Sequence, residues 1–527
     1  MSNDEIVGGG GHPEPTAAPK KRRTGLVVGV VGGVVAAVGL PLGGFAVYNA
    51  LSGGGTQPHD ALPADAIGYL RLDLDPSAGQ KIEALRMLDK FPGFEDVTGI
   101  DDPRTDLRKA LFEAMREDSG CDLDFEDDVE PWLGERLGVA VFAPTDGTGE
   151  PGVTVAVQVQ DEETARSGIE DLMACGSPDG EATEGWAYYN DYMIVAETQK
   201  LADGYAESAS RSSLADNDVF AADMDRLGEQ GVASIWFDGQ GIMDAAGPML
   251  SGFAAPGSGS GGMSDQLEKA VQQSYRSGAV AFRFDNGAAE VATVVTGDAY
   301  EKLDGAGTAS AELPESTAVA IGVADGDRWV DEQWDSLLEI ASDGQDPQAA
   351  IDEIEAATGL RLPADLQTLL GSDFALALDG AGLVETVTAG DVSMLRLGAR
   401  IATDADEFAK VFDDVQTLAT RSGVPVRLTK VETDDGVAVA TSDEYAEALA
   451  DGGALGDTAK FQAAVNDAAD AQSYAYVDVD GLEPLLEALA DPGDQEALVN
   501  IKPVDAVGAS SQIHDGYVEA TLRVTVD

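Results

Sequence analysis

The sequence predicts an α+β protein: two tandem homologous domains of mainly antiparallel sheet with flanking helices, preceded by one transmembrane helix. Three observations predict it. One uncharged apolar run lies near the N-terminus, a series of landmarks recurs in the same order in each half of the remainder, and strand-like segments are joined by tight-turn dipeptides rather than by regular strand–helix alternation.

Residues 1–24, with Gly8 to Gly11 and Pro13, Pro15 and Pro19, have no apolar periodicity and read as a disordered cytoplasmic tail. Residues 25–51 read as the membrane helix. Leu26 to Leu51 is free of charge, and about twenty residues suffice to cross the hydrocarbon. Lys20, Lys21, Arg22 and Arg23 precede it, while the next basic residue is Arg71, so the positive-inside rule places the N-terminus in the cytoplasm and the bulk outside. A cleaved signal peptide would have a much shorter apolar core, so an uncleaved signal anchor in the cell membrane is expected. Gly25, Gly29, Gly33 and Ala37 share one helix face and would let a second helix approach.

Charge is distributed with the same asymmetry. Residues 1–51 hold four basic and three acidic side chains (+1), which leaves 28 basic and 93 acidic for residues 52–527 (−65). A surface of that sign repels phosphate backbones, so nucleic acid is excluded as a partner, and cations or basic proteins fit better. With 44% apolar and 24% charged residues, the chain nevertheless has the makings of a packed core.

The repetition is read landmark by landmark. Leu62-Pro63 leads to the strand-like AIGYLRLDL, and Leu313-Pro314 leads to TAVAIGVAD. Leu133-Gly134 pairs with Leu370-Gly371. A strand and an amphipathic helix follow in each half, Val153 to Met173 against Leu395 to Leu418, with Asp161 and Thr403 as expected N-caps. Ile169, Leu172 and Met173 in one helix, and Phe408, Val411, Phe412 and Val415 in the other, form stripes at helical spacing. Phe220 answers Phe461, Trp236 answers Tyr476, and each unit closes on a hairpin, at Asn286-Gly287 and at Asp515-Gly516. The offset stays between 229 residues (Asn286 to Asp515) and 251 (Leu62 to Leu313), a constancy that indicates duplication. The division is therefore 52–60 linker, 61–298 first repeat, 299–311 linker and 312–527 second repeat, with a Gly/Ser surface loop at Pro256 to Gly262.

The anchor, the opening LPADAIGYLRLDLDPSAGQ with its later KFPGFED, and DDVEPWLGERLGVAV together resemble an uncharacterised, DUF3352-like family of bacterial membrane-anchored proteins that carry a domain of unknown function. The resemblance is expected to cover nearly all of the ectodomain, and it implies no activity and no catalytic residues.

The residues carry little recognisable chemistry. His12 is in the tail, His59 in the linker and His514 beside a hairpin turn, so a histidine-based triad has only His514 to draw on. No metal-binding His or Cys motif occurs, and Gly257, Gly259 and Gly262 match a phosphate-loop pattern only within a Gly/Ser stretch that follows no strand. No cofactor is expected. Asp73 with Asp75, Asp127 with Asp128, and Asp478 with Asp480 are the carboxylate pairs, available for weak cation binding or for turns and caps. Cys121 and Cys175, in an extracytoplasmic setting, read as a candidate disulfide. Trp132 and Trp236 read as core. The expectation is a non-catalytic, membrane-tethered module that binds an envelope protein or small ligand. The alternatives are a hydrolase working through paired carboxylates and an assembly scaffold.

Overall fold

The computed structural model describes residues 55–527 outside 75–77, 89, 92–105, parts of 107–122, 145–150, 177–183, 243–274, 299, 303–311, 343–345, 390–393, 422–426 and 491–494. The expected tail and membrane helix, Cys121, the side chain of Cys175, Asp75 and the glycines of the phosphate-loop pattern lie outside the described residues.

Sixteen strands form one sheet. The first half supplies β1 (Ala66–Asp73), β2 (Leu133–Phe142), β3 (Gly152–Val159), β4 (Gly185–Tyr189), β5 (Tyr192–Ala196), β6 (Ala233–Asp238), β7 (Ser277–Asp285) and β8 (Ala288–Thr296). The second supplies β9 (Thr317–Ala324), β10 (Asp373–Asp379), β11 (Leu397–Ala402), β12 (Thr429–Glu432), β13 (Val437–Ala440), β14 (Ser473–Asp478), β15 (Val504–His514) and β16 (Tyr517–Val526). Read from its outer edge inward, the first half runs β4-β5-β3-β2-β1-β6-β7-β8, and the second runs β12-β13-β11-β10-β9-β14-β15-β16. Each strand of one order is replaced in the other by the strand eight later. The halves join where β16 pairs antiparallel with β8, from Tyr517 opposite Thr296 to Thr525 opposite Ala288. The sequence suggests two domains and a linker; the sheet passes from one half to the other without a break.

Helices cover both faces: in the first half α1 (Ala78–Leu88), α2 (Glu162–Gly176), α3 (Gln199–Arg211) and α4 (Asp218–Leu227), and in the second α5 (Gly326–Ser342), α6 (Pro347–Thr358), α7 (Ala364–Leu370), α8 (Leu383–Ala389), α9 (Ala405–Arg421), α10 (Asp443–Asp451), α11 (Ala459–Ala464), α12 (Val479–Leu489) and α13 (Gln495–Ile501). On one face the strands present small residues, Ala140, Ala156, Ala279 and Ala281 in the first half and Ala320, Ala375, Ala438 and Ala440 in the second, so helices can sit close to the backbone. Phe220 and Met224 of α4 fill that face in one half, and Tyr445 and Leu449 of α10 with Phe461 of α11 fill it in the other. Trp236 and Tyr476 are both buried there, at equivalent places. The opposite face packs Ile169 and Trp132 in one half, and Phe408 and Phe412 in the other.

Local signals explain most boundaries. Asp161 Oδ1 accepts from the Thr164 amide at 2.8 Å, as an N-cap should, and these bonds hold the Asp161 carboxyl below its usual range. At the start of α9 the expected cap is displaced by one residue. Asp404 Oδ1 accepts from the Glu407 amide at 2.8 Å, while the Thr403 hydroxyl turns away to donate to the Thr368 carbonyl at 3.0 Å. Asn286 and Gly287 both take positive φ, 49° and 80°, which lets a two-residue loop follow the twist of β7 and β8.

The stretch assigned by sequence to a linker, 52–60, is in its described part built into the fold. Pro58 is buried against Gly138, where an added Cβ would fall 2.3 Å from the proline Cβ. Tyr192 Oη donates to the Thr56 carbonyl at 2.8 Å, and Arg71 Nε donates to Gln57 Oε1 at 3.0 Å.

Candidate functional site

Three constellations of polar residues are candidates, and each is assembled by strand register rather than by sequence proximity. The first lies where β1 ends and β2 begins. Register sets Asp73 opposite Arg136, and Arg71 is two residues back on the same face. Asp73 is ion-paired to Arg71 and, at 3.3 Å, to Arg136 Nε, and all three side chains are buried. Arg71 also donates to the Gly231 carbonyl at 3.0 Å, and Arg136 to the Thr56 carbonyl at 3.3 Å. The carboxylate thus fastens two guanidiniums, which in turn hold residues 56, 57 and 231. Asp73 is a structural counter-ion and does not offer a cation site.

The second constellation contains Asp478 and Asp480. A third carboxylate, Asp505 at the start of β15, joins them, and one oxygen of each lies within 4.8 Å of the others. Carboxylates so placed have the chemistry to hold a cation, but the chain provides one. Lys460 Nζ sits 2.9 Å from Asp478, 3.2 Å from Asp480 and 2.7 Å from Asp505. Burial works against the ammonium, yet hydrogen bonds to Asp505, Asp478 and Asp480 outweigh it and hold the Lys460 pKa above its usual value. A divalent ion would have to displace that charge, so the residues do not fit a resident metal. Asp127 and Asp128 do not form a site either: Asp128 accepts from the Asp124 amide at 2.8 Å, and Asp124 accepts from the amides of Glu126 and Asp127.

The third is an open groove of about 960 Å³ between α5, α7 and α9, at the ends of β10 and β11. Its walls carry Arg328, Arg361 and Lys410 beside acidic residues, with Thr368, Ser372 and Thr403 near the sheet. Four of its acids have structural duties. Asp365 accepts from Arg361 at 2.7 Å, Asp404 caps α9, and Asp331 accepts from Gln367 at 3.4 Å. Asp435 lies 3.1 Å from Arg400; burial raises its pKa, but bonds from Thr433 and Arg400 prevail and hold it below the usual carboxylate value. Such a carboxylate stays ionised at neutral pH and is a poor general acid. The groove was not legible beforehand, because its residues come from four separated segments.

The single histidine left for a triad is also placed. His514 stacks on Tyr517 with ring centroids 4.5 Å apart, and Glu519 lies 3.6 Å from its Nε2. Trp132 donates its indole N–H to the Asp128 carbonyl at 2.8 Å, and Trp236 donates to Asp223 at 3.0 Å, so both tryptophans are core residues with their one polar atom satisfied.

These features define a mixed helix and antiparallel-sheet protein with an internally duplicated strand order and an open polar groove. The resemblance, expected over nearly all of the ectodomain, is found over part of it: residues 25–223 match the family described as "Protein of unknown function (DUF3352)", so over that span the chain is DUF3352-like. No curated protein matches the sequence. A solved structure, described as "Structure of crystal form I of TP0453", is similar at 9% identity, over 46% of this chain and 80% of that one, with a TM-score of 0.20. Among the described residues no helix is long and apolar enough to cross a membrane.

Proposed function

We propose that the chain is a single-pass membrane protein with a cytoplasmic N-terminus, whose sheet stands outside the membrane and binds an envelope protein or small ligand without catalysis. The observation that carries the binding part is the groove between α5, α7 and α9, wide and open, with Asp365, Asp404 and Asp435 committed to ion pairs and caps. Recognition of a ligand needs charges held in fixed positions. The tethered arrangement draws support from Thr56 and Gln57. Only residues 52–55 separate the apolar run from atoms bonded into the sheet, so the ectodomain would stand close to the bilayer.

Protease added to intact cells should digest the C-terminal portion and spare a tag on the N-terminus; digestion of neither would remove the external placement. The purified chain should leave wall glycans, peptides and phosphoesters unchanged. Turnover of any of them, abolished by one carboxylate substitution, would establish the hydrolase instead. The scaffold reading has its own support in the β8–β16 junction, which joins the halves strand to strand. It predicts that crosslinking in whole cells captures one dominant membrane protein.

A further inference from the structure

The two outer edges of the sheet are equivalent by duplication and differ in one respect. In the first half, the hairpin closed at Tyr189 and Tyr192 turns the N–H and C=O of Trp186 away from β5. The Gln199 side chain meets both: its Oε1 accepts from the Trp186 amide at 3.3 Å, and its Nε2 donates to the Trp186 carbonyl at 2.8 Å. An amide side chain thus stands where the peptide of another strand would dock. The approach requires Gly185, since a Cβ there would lie 2.1 Å from the Gln199 Cα.

In the second half, Thr429 replaces Gly185, Lys430 replaces Trp186 and Asp443 replaces Gln199, by the register of β4 on β5 and of β12 on β13. Asp443 accepts from the Thr429 hydroxyl at 2.5 Å and does not reach the Lys430 backbone. Thr433 bonds to the Gly436 carbonyl at 3.0 Å, so by alternation Val431 faces β13 while Lys430 and Glu432 turn their backbone groups outward. Among the described residues those groups have no hydrogen-bond partner.

We propose that β12 is a self-association edge, on which a second copy of this chain adds its own β12 antiparallel. A two-fold axis through Val431 sets Lys430 of each copy opposite Glu432 of the other, both in outward-facing, hydrogen-bonding positions. Charge complementarity selects this occupant. A chain of net charge −64 repels another copy almost everywhere, and a lone edge lysine would discourage pairing, but Lys430 followed two residues later by Glu432 makes the strip neutral and self-complementary. Lys430 and Glu432 already lie 3.8 Å apart on one face, so pairing joins two such couples into a ring of alternating charge.

Across the two-fold axis Val431 meets Val431 in a non-hydrogen-bonded pair, where Cβ atoms are about 4.5–5.5 Å apart. Val431→Cys in the full-length chain, oxidised in detergent micelles, should therefore give a disulfide-linked dimer on non-reducing gels. Ala187→Cys, the equivalent position on the capped edge, should give no more dimer than the wild type. Adding Lys430→Glu to Val431→Cys should lower the yield at least threefold, and adding Glu432→Lys as well should restore it. A cysteine-independent arm is sedimentation of the wild type against Lys430→Pro, which removes an outward donor and no internal backbone hydrogen bond; the wild type should dimerise and the variant should not. Equal crosslinking at 431 and 187, indifference to the charge exchange, or a wild type that stays monomeric at every concentration would each overturn the proposal.

Discussion

Where β1 carries Arg71, β9 carries Gly322, and where β6 carries Ser234, β14 carries Tyr474. In the first half a buried arginine is paired in register with a small residue; in the second a phenol lies over a glycine, whose Cβ, if present, would be 1.8 Å from Tyr474 Cε1. The difference extends outward. Asp73 and Arg136 in the first half correspond to Ala324 and Asp373 in the second. Through Arg71 and Arg136 the charged version fastens residues 56 and 57. Duplicated strands therefore keep their order while the residues they carry diverge, and the first-half set holds the segment that follows the N-terminal apolar run in the sequence.

The most severe way to break this contrast is Asp73→Ala. It would leave Arg71 and Arg136 buried without a counter-ion, and removing one partner of such a group costs about 3–5 kcal/mol. Urea titration followed by tryptophan fluorescence should register the loss, with the midpoint shifted far below that of the wild type. A shift under about 1 kcal/mol would mean the cluster is wetter than its burial indicates.

Next in size is a pH effect at the same segment. His59 is half-buried between Tyr69 and Phe220, with ring centroids 6.0 and 5.2 Å away, and its partial burial, the largest influence on it, lowers its pKa to about 4. The unfolded chain takes up this proton near the ordinary value of about 6.5, so between the two values the unfolded state binds more protons and stability falls as pH falls. The shift corresponds to about 3 kcal/mol, present in full above pH 6.5 and lost by about pH 4. His59→Phe should remove this slope relative to the wild type; parallel pH–stability curves for the two proteins would refute the assignment.

How much of this was readable from the chain alone depends on how far apart the participants lie. Asp161 as a cap, Trp132 and Trp236 as core, and the two hairpin turns involve residues a few positions apart, or a residue whose chemistry has one dominant solution, and the sequence shows them. Thr403 and Asp404 both suit an N-cap, and the choice was settled by the Thr368 carbonyl, which lies 35 residues away along the chain. Asp478 and Asp480 look like a cation site until Lys460, 18 residues upstream, is placed among them by the packing of α11. The groove and the Arg71–Asp73–Arg136 cluster depend on pairing register between distant strands. The joining of β8 to β16 is a backbone event between strands far apart in the chain, which no local pattern announces.

A subtler perturbation asks whether the apolar solution in the second half is as tightly fitted as it looks. Gly322→Ala forces a Cβ into the Tyr474 ring and should cost about 1–3 kcal/mol. In a Tyr474→Ala background the same change should cost almost nothing, because the atom it strikes has gone; additive effects of the two would show that the strain is relieved elsewhere.

The smallest effect tests where the halves agree. Thr198 begins α3 and Ser442 begins α10, at equivalent places after β5 and β13, and both hydroxyls accept from the amide three residues on, at 3.3 Å from Leu201 and 3.2 Å from Tyr445. Each cap satisfies a donor that helix geometry leaves unpaired, so Thr198→Ala and Ser442→Ala should each cost about 1 kcal/mol. Equal losses would fit helix starts kept unchanged by the duplication. A markedly larger loss at Thr198 would mean that the cap also positions Gln199 against Trp186, so that the closed edge of the sheet depends on the first turn of α3; freer exchange of the Trp186 amide in Thr198→Ala, measured by hydrogen–deuterium exchange, separates that outcome from a simple weakening of the helix.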